Sequence, residues 1–353
     1  MVLSVGTFSL CVIILLSTFS NFSCANKNVV VYDSFSKSVG PYSIQDYNDK
    51  WSNPFGLGEM ALNDTRSFSN GVFSVSAVPF KTAADFSVYD HLKYAAFSKE
   101  SFDVPANGSV AFSVEINVVT PGTQPGRIIK GTYPKRAGNP PYAQPTFEGQ
   151  QAAAVLNMID FYTGQLFDIF VSGQSIFALV ERLPSTVSGS PLNVTLNKIY
   201  TQIVKEMNVC PGTHKVEMKY TRLAHTSMVQ YFLDGVEFAR VNDVGIPVDV
   251  QKACYTGVYP SFGAGEKLVN QINSFTIGHG LFTLLDAWPF QYATAPNDFV
   301  SIPLQNRLFG QGASAKFSNF IVTTLSYPPT TAQPSPAPTV RVLKTKKNCI
   351  CLL

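Results

Sequence analysis

The chain has 353 residues, 45% hydrophobic and 12% aromatic but only 14% charged, enough apolar surface for one large domain or two ordinary ones. Its formal net charge of +3 is uneven: residues 1–25 carry no charged side chain, and Arg341, Lys344, Lys346 and Lys347 in the tail leave residues 26–326 at −1. A near-neutral body has no electrostatic footprint for nucleic acid, which removes that class of partner.

In chain order, the first feature is an apolar run, Phe8–Leu16, too short to span a membrane and followed by the small residues Ser23-Cys24-Ala25. It predicts a signal peptide over residues 1–25, and hence a secreted, extracellular protein with no transmembrane span after cleavage. Cys11 and Cys24 would leave with it. Cys210, Cys254, Cys349 and Cys351 would then meet an oxidising route, with Cys210–Cys254 the expected disulfide and two buried thiols the alternative. The sequons at Asn63, Asn107 and Asn193 lie among turn-forming residues and are expected glycosylation sites.

From Val29 onward, short apolar and β-branched runs alternate with Gly, Pro, Asn and Asp clusters. Strands are predicted at Val29–Tyr32, Gly71–Val78, Val110–Val119, Ala152–Phe161, Leu166–Val171, Ile176–Arg182, His214–Leu223, Met228–Leu233, Val236–Val241 and Phe317–Thr324. Such punctuation predicts an all-β, antiparallel sandwich. Leu196–Met207 leans toward a helix and suits a strand equally. Thr120–Gln150 is rich in Pro and Gly and reads as a long functional or disordered loop. Tyr327–Val340 is a Pro/Thr-rich linker. The expected organisation is therefore a signal over 1–25, one sandwich domain over 26–326, and a linker with a basic, cysteine-bearing tail over 327–353. That tail lacks a prenylation box, since Ile350 stands fourth from the end.

The stretch from Ala152 to Arg182 is the most informative. Taking Thr163-Gly164 and Gly173-Gln174 as two-residue turns gives three consecutive antiparallel strands. Ile159 then faces Asp168, Asp168 faces Leu179, and Leu166 faces Glu181. Opposed residues share a face, so Asp168 and Glu181 become diagonal neighbours roughly 7–8 Å apart, with Asp160 on the other face. A one-residue slip would reverse these faces. Two carboxyls on a concave sheet face are what glycoside hydrolysis needs: one protonates the leaving oxygen, and the other attacks or activates water. Leu166, Phe170 and Phe177 would raise one of the two pKa values by desolvation. Against this stands a structural role, in which Arg182 pairs with a nearby acid.

Weaker ligand-binding candidates are His279, Asp286 and Trp288, the last a ring on which a sugar can stack, and His91 with Arg182. His279 suits a satisfied core position as well. His91 and His279 have no metal-ligand spacing, and there is no Gly-rich phosphate loop or Ser-nucleophile elbow, so neither metal nor cofactor is expected.

Two resemblances follow from particular residues. His214–Tyr220, followed by Met228–Val241 with its Asp234-Gly235 turn, resembles a hairpin of concanavalin-like lectins and glucanases. Several blocks together resemble an uncharacterised family of unknown function from secreted microbial proteins with a concanavalin A-like lectin/glucanase fold. They are Tyr32–Phe35, His91–Tyr94, Asp160–Gly164 with Phe167-Asp168, Glu181–Pro184, Phe282–Asp286 and Arg307–Gly312. This implies a jelly-roll β-sandwich over about residues 30–325 and brings no catalytic residues. The chain departs from family-sixteen-type glucanases, whose acidic strand carries several acids on one face; Phe167–Val171 has only Asp168. The expected function is binding, and in its enzymatic form metal-free hydrolysis, of an extracellular glycan. A non-catalytic matrix or cell-surface role and a small-molecule enzyme are the alternatives, with oligomeric state left open.

Overall fold

Residues 25–52, 63–82, 91–133, 141–285, 291–292 and 295–328 are described in the computed structural model of the protein. The signal segment, Trp288, Asp286, Cys349 and Cys351 lie outside them, as does nearly all of the linker and tail.

The first half of the chain forms β1 (Asn26–Asp33), α1 (Ile44–Lys50), β2 (Trp51–Ser52), β3 (Thr65–Ser69), β4 (Val72–Ala77), β5 (Leu92–Ser98), β6 (Phe102–Asp103), β7 (Gly108–Val119), β8 (Ile128–Gly131), β9 (Tyr142–Pro145) and α2 (Glu148–Gln151). Then come β10 (Ala153–Asp160), β11 (Gln165–Val171), β12 (Ser175–Arg182), β13 (Tyr200–Asn208), β14 (Thr213–Leu223), β15 (Thr226–Leu233) and β16 (Val236–Asn242). The last strands are β17 (Ser274–Phe282), β18 (Gln291–Tyr292), β19 (Ala295–Phe299) and β20 (Ala313–Ser326).

These strands build two stacked antiparallel sheets, a concanavalin-like jelly-roll sandwich. The first sheet runs β16-β15-β14-β7-β20-β4-β3, with β1 also on β20; the second runs β13-β12-β11-β10-β17-β5-β2, with β6 on β17. Burial follows the layering. β4 alternates buried and half-buried residues, as a strand with one covered face does. All eight residues of β10 are buried, because both of its faces are covered.

One apolar cluster fills the space between the sheets, joining Leu156, Phe167 and Phe275 of the second sheet to Met218, Tyr220 and Tyr231 of the first. A second cluster lies on the outer face of the second sheet: Val155, Phe170, Phe177, Leu179 and Phe282, with Phe147, Val258 and Tyr259 packed against it. Because side chains alternate, odd-numbered residues of β10 point to this outer face and even-numbered ones to the sandwich interior.

The N-terminal segment is fastened by Asp33, which accepts hydrogen bonds from Trp51 Nε1 (2.8 Å), the Tyr42 hydroxyl (2.7 Å) and the Phe35 amide (3.0 Å). Lys50 adds an ion pair at 3.2 Å.

Several expectations are corrected. Cys210 and Cys254 are both exposed and are not bridged to each other. Leu196–Met207 resolves mainly into strand, β13. Thr120–Gln150 is not featureless, since β8 pairs with β9 and α2 follows. The first turn of the central hairpin is longer than two residues. Asp160 faces Gln165, leaving residues 161–164 as the loop. Ile159 therefore faces Leu166, and Asn157, not Ile159, faces Asp168. The displacement is two residues, so no side chain changes face.

Of the sequon asparagines, Asn193 is exposed, with a left-handed backbone at φ 48°. The Asn63 amide donates to the Pro79 carbonyl at 2.9 Å, and the Asn107 amide to the Pro328 carbonyl at 3.1 Å. Among the described residues no helix is long and apolar enough to cross a membrane.

Candidate functional site

The second hairpin keeps the expected register: Asp168 faces Leu179 and Leu166 faces Glu181. Asp168 on β11 and Glu181 on β12 thus share the outer face as diagonal neighbours, close enough for each to affect the other's ionisation. Asn157 on β10 donates its amide to Asp168 Oδ1. Thr201 on β13 donates its hydroxyl to Glu181 Oε2 at 3.0 Å. Four adjacent strands contribute one polar side chain each. Each carboxyl has a donor of its own: Asn157 gives to Asp168, and Thr201 gives to Glu181.

Burial controls the electrostatics. Asp168 is 1% exposed and Glu181 7%. Loss of water disfavours both charged forms, and the neighbouring Glu181 charge opposes ionisation of Asp168 further, so the Asp168 carboxyl is held well above the usual carboxylate range. Burial pushes Glu181 up to about 7, against the lowering effect of the Thr201 hydrogen bond and of Asp168 beside it. No cation contributes to either shift. The two carboxyls are set among Leu166, Phe170, Phe177 and Leu179.

Tyr259 packs at the rim of this face. Its ring packs on the outer apolar cluster, its hydroxyl accepts from the Gln150 amide, and the Glu181 charge reaches it. Its backbone sits at φ 62°, a left-handed conformation uncommon for an aromatic residue.

The other candidates lie elsewhere. Asp160 points to the opposite side and organises its own turn, accepting from the Tyr162 amide (3.0 Å), the Thr163 amide (3.2 Å) and the Thr163 hydroxyl (2.6 Å). Arg182 is buried there too; it donates to the Thr163 carbonyl (3.0 Å) and pairs with Glu266 (2.6 Å). Neither joins the Asp168–Glu181 unit. His279 is fully buried between the sheets, bonded to the Tyr47 hydroxyl at 2.9 Å and ringed by Trp51, Phe73, Phe317 and Phe320. Burial lowers it to about 3, which keeps it neutral. Of the pocket and core positions that its sequence context allows, it occupies the core one. His91 does reach the outer face, edge-on to Phe282 at 5.6 Å. Among the described residues no group of His, Cys, Asp and Glu is arranged to hold a metal.

Sequence reasoning missed Asn157, Thr201 and Tyr259. Asn157 had a legible signal, as the one amide in the otherwise apolar run Ala153–Ile159. Tyr259 had none, because its loop meets the sheet only in three dimensions.

Comparison with known proteins adds a family and a shape. The model of a family of unknown function, DUF6081, matches residues 62–326. A 173-residue stretch, 49% of this chain, is 27% identical to an uncharacterized protein of Acanthamoeba polyphaga mimivirus, and spans only 35% of that protein. The endo-1,3-beta-glucanase of Streptomyces sioyaensis is similar over 86% of this chain and 98% of its own, at 13% identity and a TM-score of 0.39. The metal-free Emp46p carbohydrate recognition domain is similar over 85% of this chain and 98% of its own, at 8% identity and a TM-score of 0.35. Likenesses at this level assign no activity to this chain.

Proposed function

We propose, for a chain that belongs to the DUF6081 family of unknown function, that it is an extracellular glycan-binding protein whose ligand lies on the outer face of the second sheet and is held at Glu181. The observation that carries this reading is the buried carboxyl pair itself. Two acids with no cation beside them, set in an apolar face, are expensive to bury, and apolar residues would serve folding better. Perturbed acids of this kind concentrate at working sites. Glu181 is the less deeply buried of the two, at 7% exposed, and burial raises its pKa to about 7. Rings suited to sugar stacking, Phe161 and Tyr259, stand at the rim of the same face.

Binding is favoured over hydrolysis by one feature. Hydrolysis by two flanking carboxyls needs them about 5 Å or more apart. Here they are diagonal neighbours on adjacent strands, both buried, and each shifts the other's ionisation directly. Turnover would need a second carboxylate from outside the pair.

The test incubates the protein with a panel of cell-wall and matrix polysaccharides, following depletion of protein and release of reducing ends together. Depletion without release, weakened by about tenfold or more in Glu181→Ala, is the expected result. Release of ends that disappears in Asp168→Asn would make the protein a hydrolase instead. No depletion by any glycan would refute the proposal.

A further inference from the structure

We infer that the outward face of the first sheet carries a second binding site, a cavity at its β16 edge that takes a single uncharged sugar ring. It lies away from the Asp168–Glu181 face and stands independently of that reading. One cross-strand row on this face runs Lys27, Leu325, Ser109, Thr221, Met228 and Asn242. Opposed residues share a face, so the last three point the same way. There they line a cavity of about 270 Å³. Leu223 and Thr226 close it from the β14–β15 hairpin, and Asp243 from the point where the chain leaves β16. Unlike the outer face of the second sheet, this region has no apolar cover among the described residues: Leu223, Met228 and Leu325 join none of the three apolar clusters.

The lining calls for hydroxyls. Thr221 is only 7% exposed, and no described residue gives its side-chain oxygen a hydrogen bond or takes one from it. The exposed side chains of Thr226 and Asn242 are likewise without a partner among the described residues. A ligand hydroxyl both donates and accepts, as these groups do, and would meet the otherwise unmet demand of Thr221. The charges nearby are already matched. Asp243 pairs with Lys267 at 3.6 Å, and its left-handed backbone (φ 51°) is held by its amide donating to the Ser227 carbonyl at 3.0 Å. One row away, Arg240 is taken by Glu237 at 2.7 and 2.9 Å, and the Lys219 charge acts on both Glu217 and Glu237. A nearly balanced lining favours an uncharged ligand. Met228 and Leu223 supply apolar surface for the C–H face of a ring. Pockets that enclose larger organic ligands hold roughly 300–1,000 Å³, so this one suits a single ring.

Met228 supplies the probe. The full chain, labelled with carbon-13 at its methionine methyls, is titrated by NMR with the methyl glycosides of glucose, mannose and galactose, and the Met228 signal is identified by its loss in Met228→Leu. The expected result is a saturable shift of the Met228 methyl with at least one glycoside, at a Kd on the order of 1 mM, while the interior Met158 and Met218 stay unmoved. Thr221→Val, which keeps nearly the same shape without the hydroxyl, should weaken binding about threefold or more. Glu181→Ala should leave the response unchanged. No Met228 shift with any of the three up to about 50 mM overturns the inference. So does a shift that neither Thr221→Val nor Asn242→Ala alters, or one that disappears in Glu181→Ala. None of these results decides whether polysaccharides deplete the protein through the second sheet, and the wild-type titration needs no variant to fold.

Discussion

Asp168 and Glu181 illustrate how burial turns two ordinary acids into unusual ones. Both folded-state pKa values are raised, so the proton-binding native state gains stability below the unfolded carboxylate range and loses it as pH climbs toward the folded values. Asp168→Asn is expected to keep the size and shape of the side chain beside Glu181 without the ionisation. Its melting temperature should thus gain on the wild type between about pH 5 and about pH 8, read by thermal unfolding at both. A constant difference would mean that the pair does not titrate in this window. His214 is a second test at this scale. Its Nδ1 meets Asp234 Oδ2 at 2.8 Å and its Nε2 meets the Cys210 carbonyl at 2.7 Å, two acceptors that only a doubly protonated ring can satisfy. Partial burial acts to lower its pKa, but these two oxygens outweigh it and hold the value above that of a free histidine. The stability it adds is present below about pH 6.5 and fades as pH rises through the folded value. Asp234→Asn should lower the His214 pKa in an NMR titration.

The elements were legible where their periodicity was clean. Each predicted run lies on a strand, and the Asp234-Gly235 turn joins β15 to β16. β5 and β17 escaped notice for opposite reasons. β5 lacks alternation, because all seven of its residues are buried. In β17, Gly278 and Gly280 read as loop signals, yet they face the outer side, where added β-carbons would meet the Phe97 ring at 2.7 Å and the Tyr94 carbonyl at 2.2 Å. The misread turn after β10 has a chemical cause too: Asp160 bonds to residues two and three further on and sustains a four-residue loop where a two-residue turn was expected. The same packing logic gives a prediction for α2. A β-carbon at Gly149 would lie 2.0 Å from Phe177 Cε1, so Gly149→Ala should destabilise the protein by about 1–3 kcal/mol in a denaturant titration.

For the whole molecule, the sandwich was readable from punctuation and composition, whereas the site was readable only in part. Opposition across one tight turn placed Asp168 beside Glu181. The partners that set their chemistry come from β10 and β13 and from the loop carrying Tyr259, which no local pattern connects. The N-terminal segment shows the same dependence on distant contacts. Asp33→Ala would strand the Trp51 indole and the Tyr42 hydroxyl, and should cost about 3 kcal/mol of stability while leaving the outer face of the second sheet in place.

The most direct test of the account is to map, by NMR chemical-shift perturbation, where a neutral oligosaccharide contacts the protein. The predicted result is a cluster of shifted signals on Asn157, Leu166, Glu181, Thr201 and Tyr259, with the interior His279 unmoved. An absence of shifts around Glu181 at saturation would contradict it.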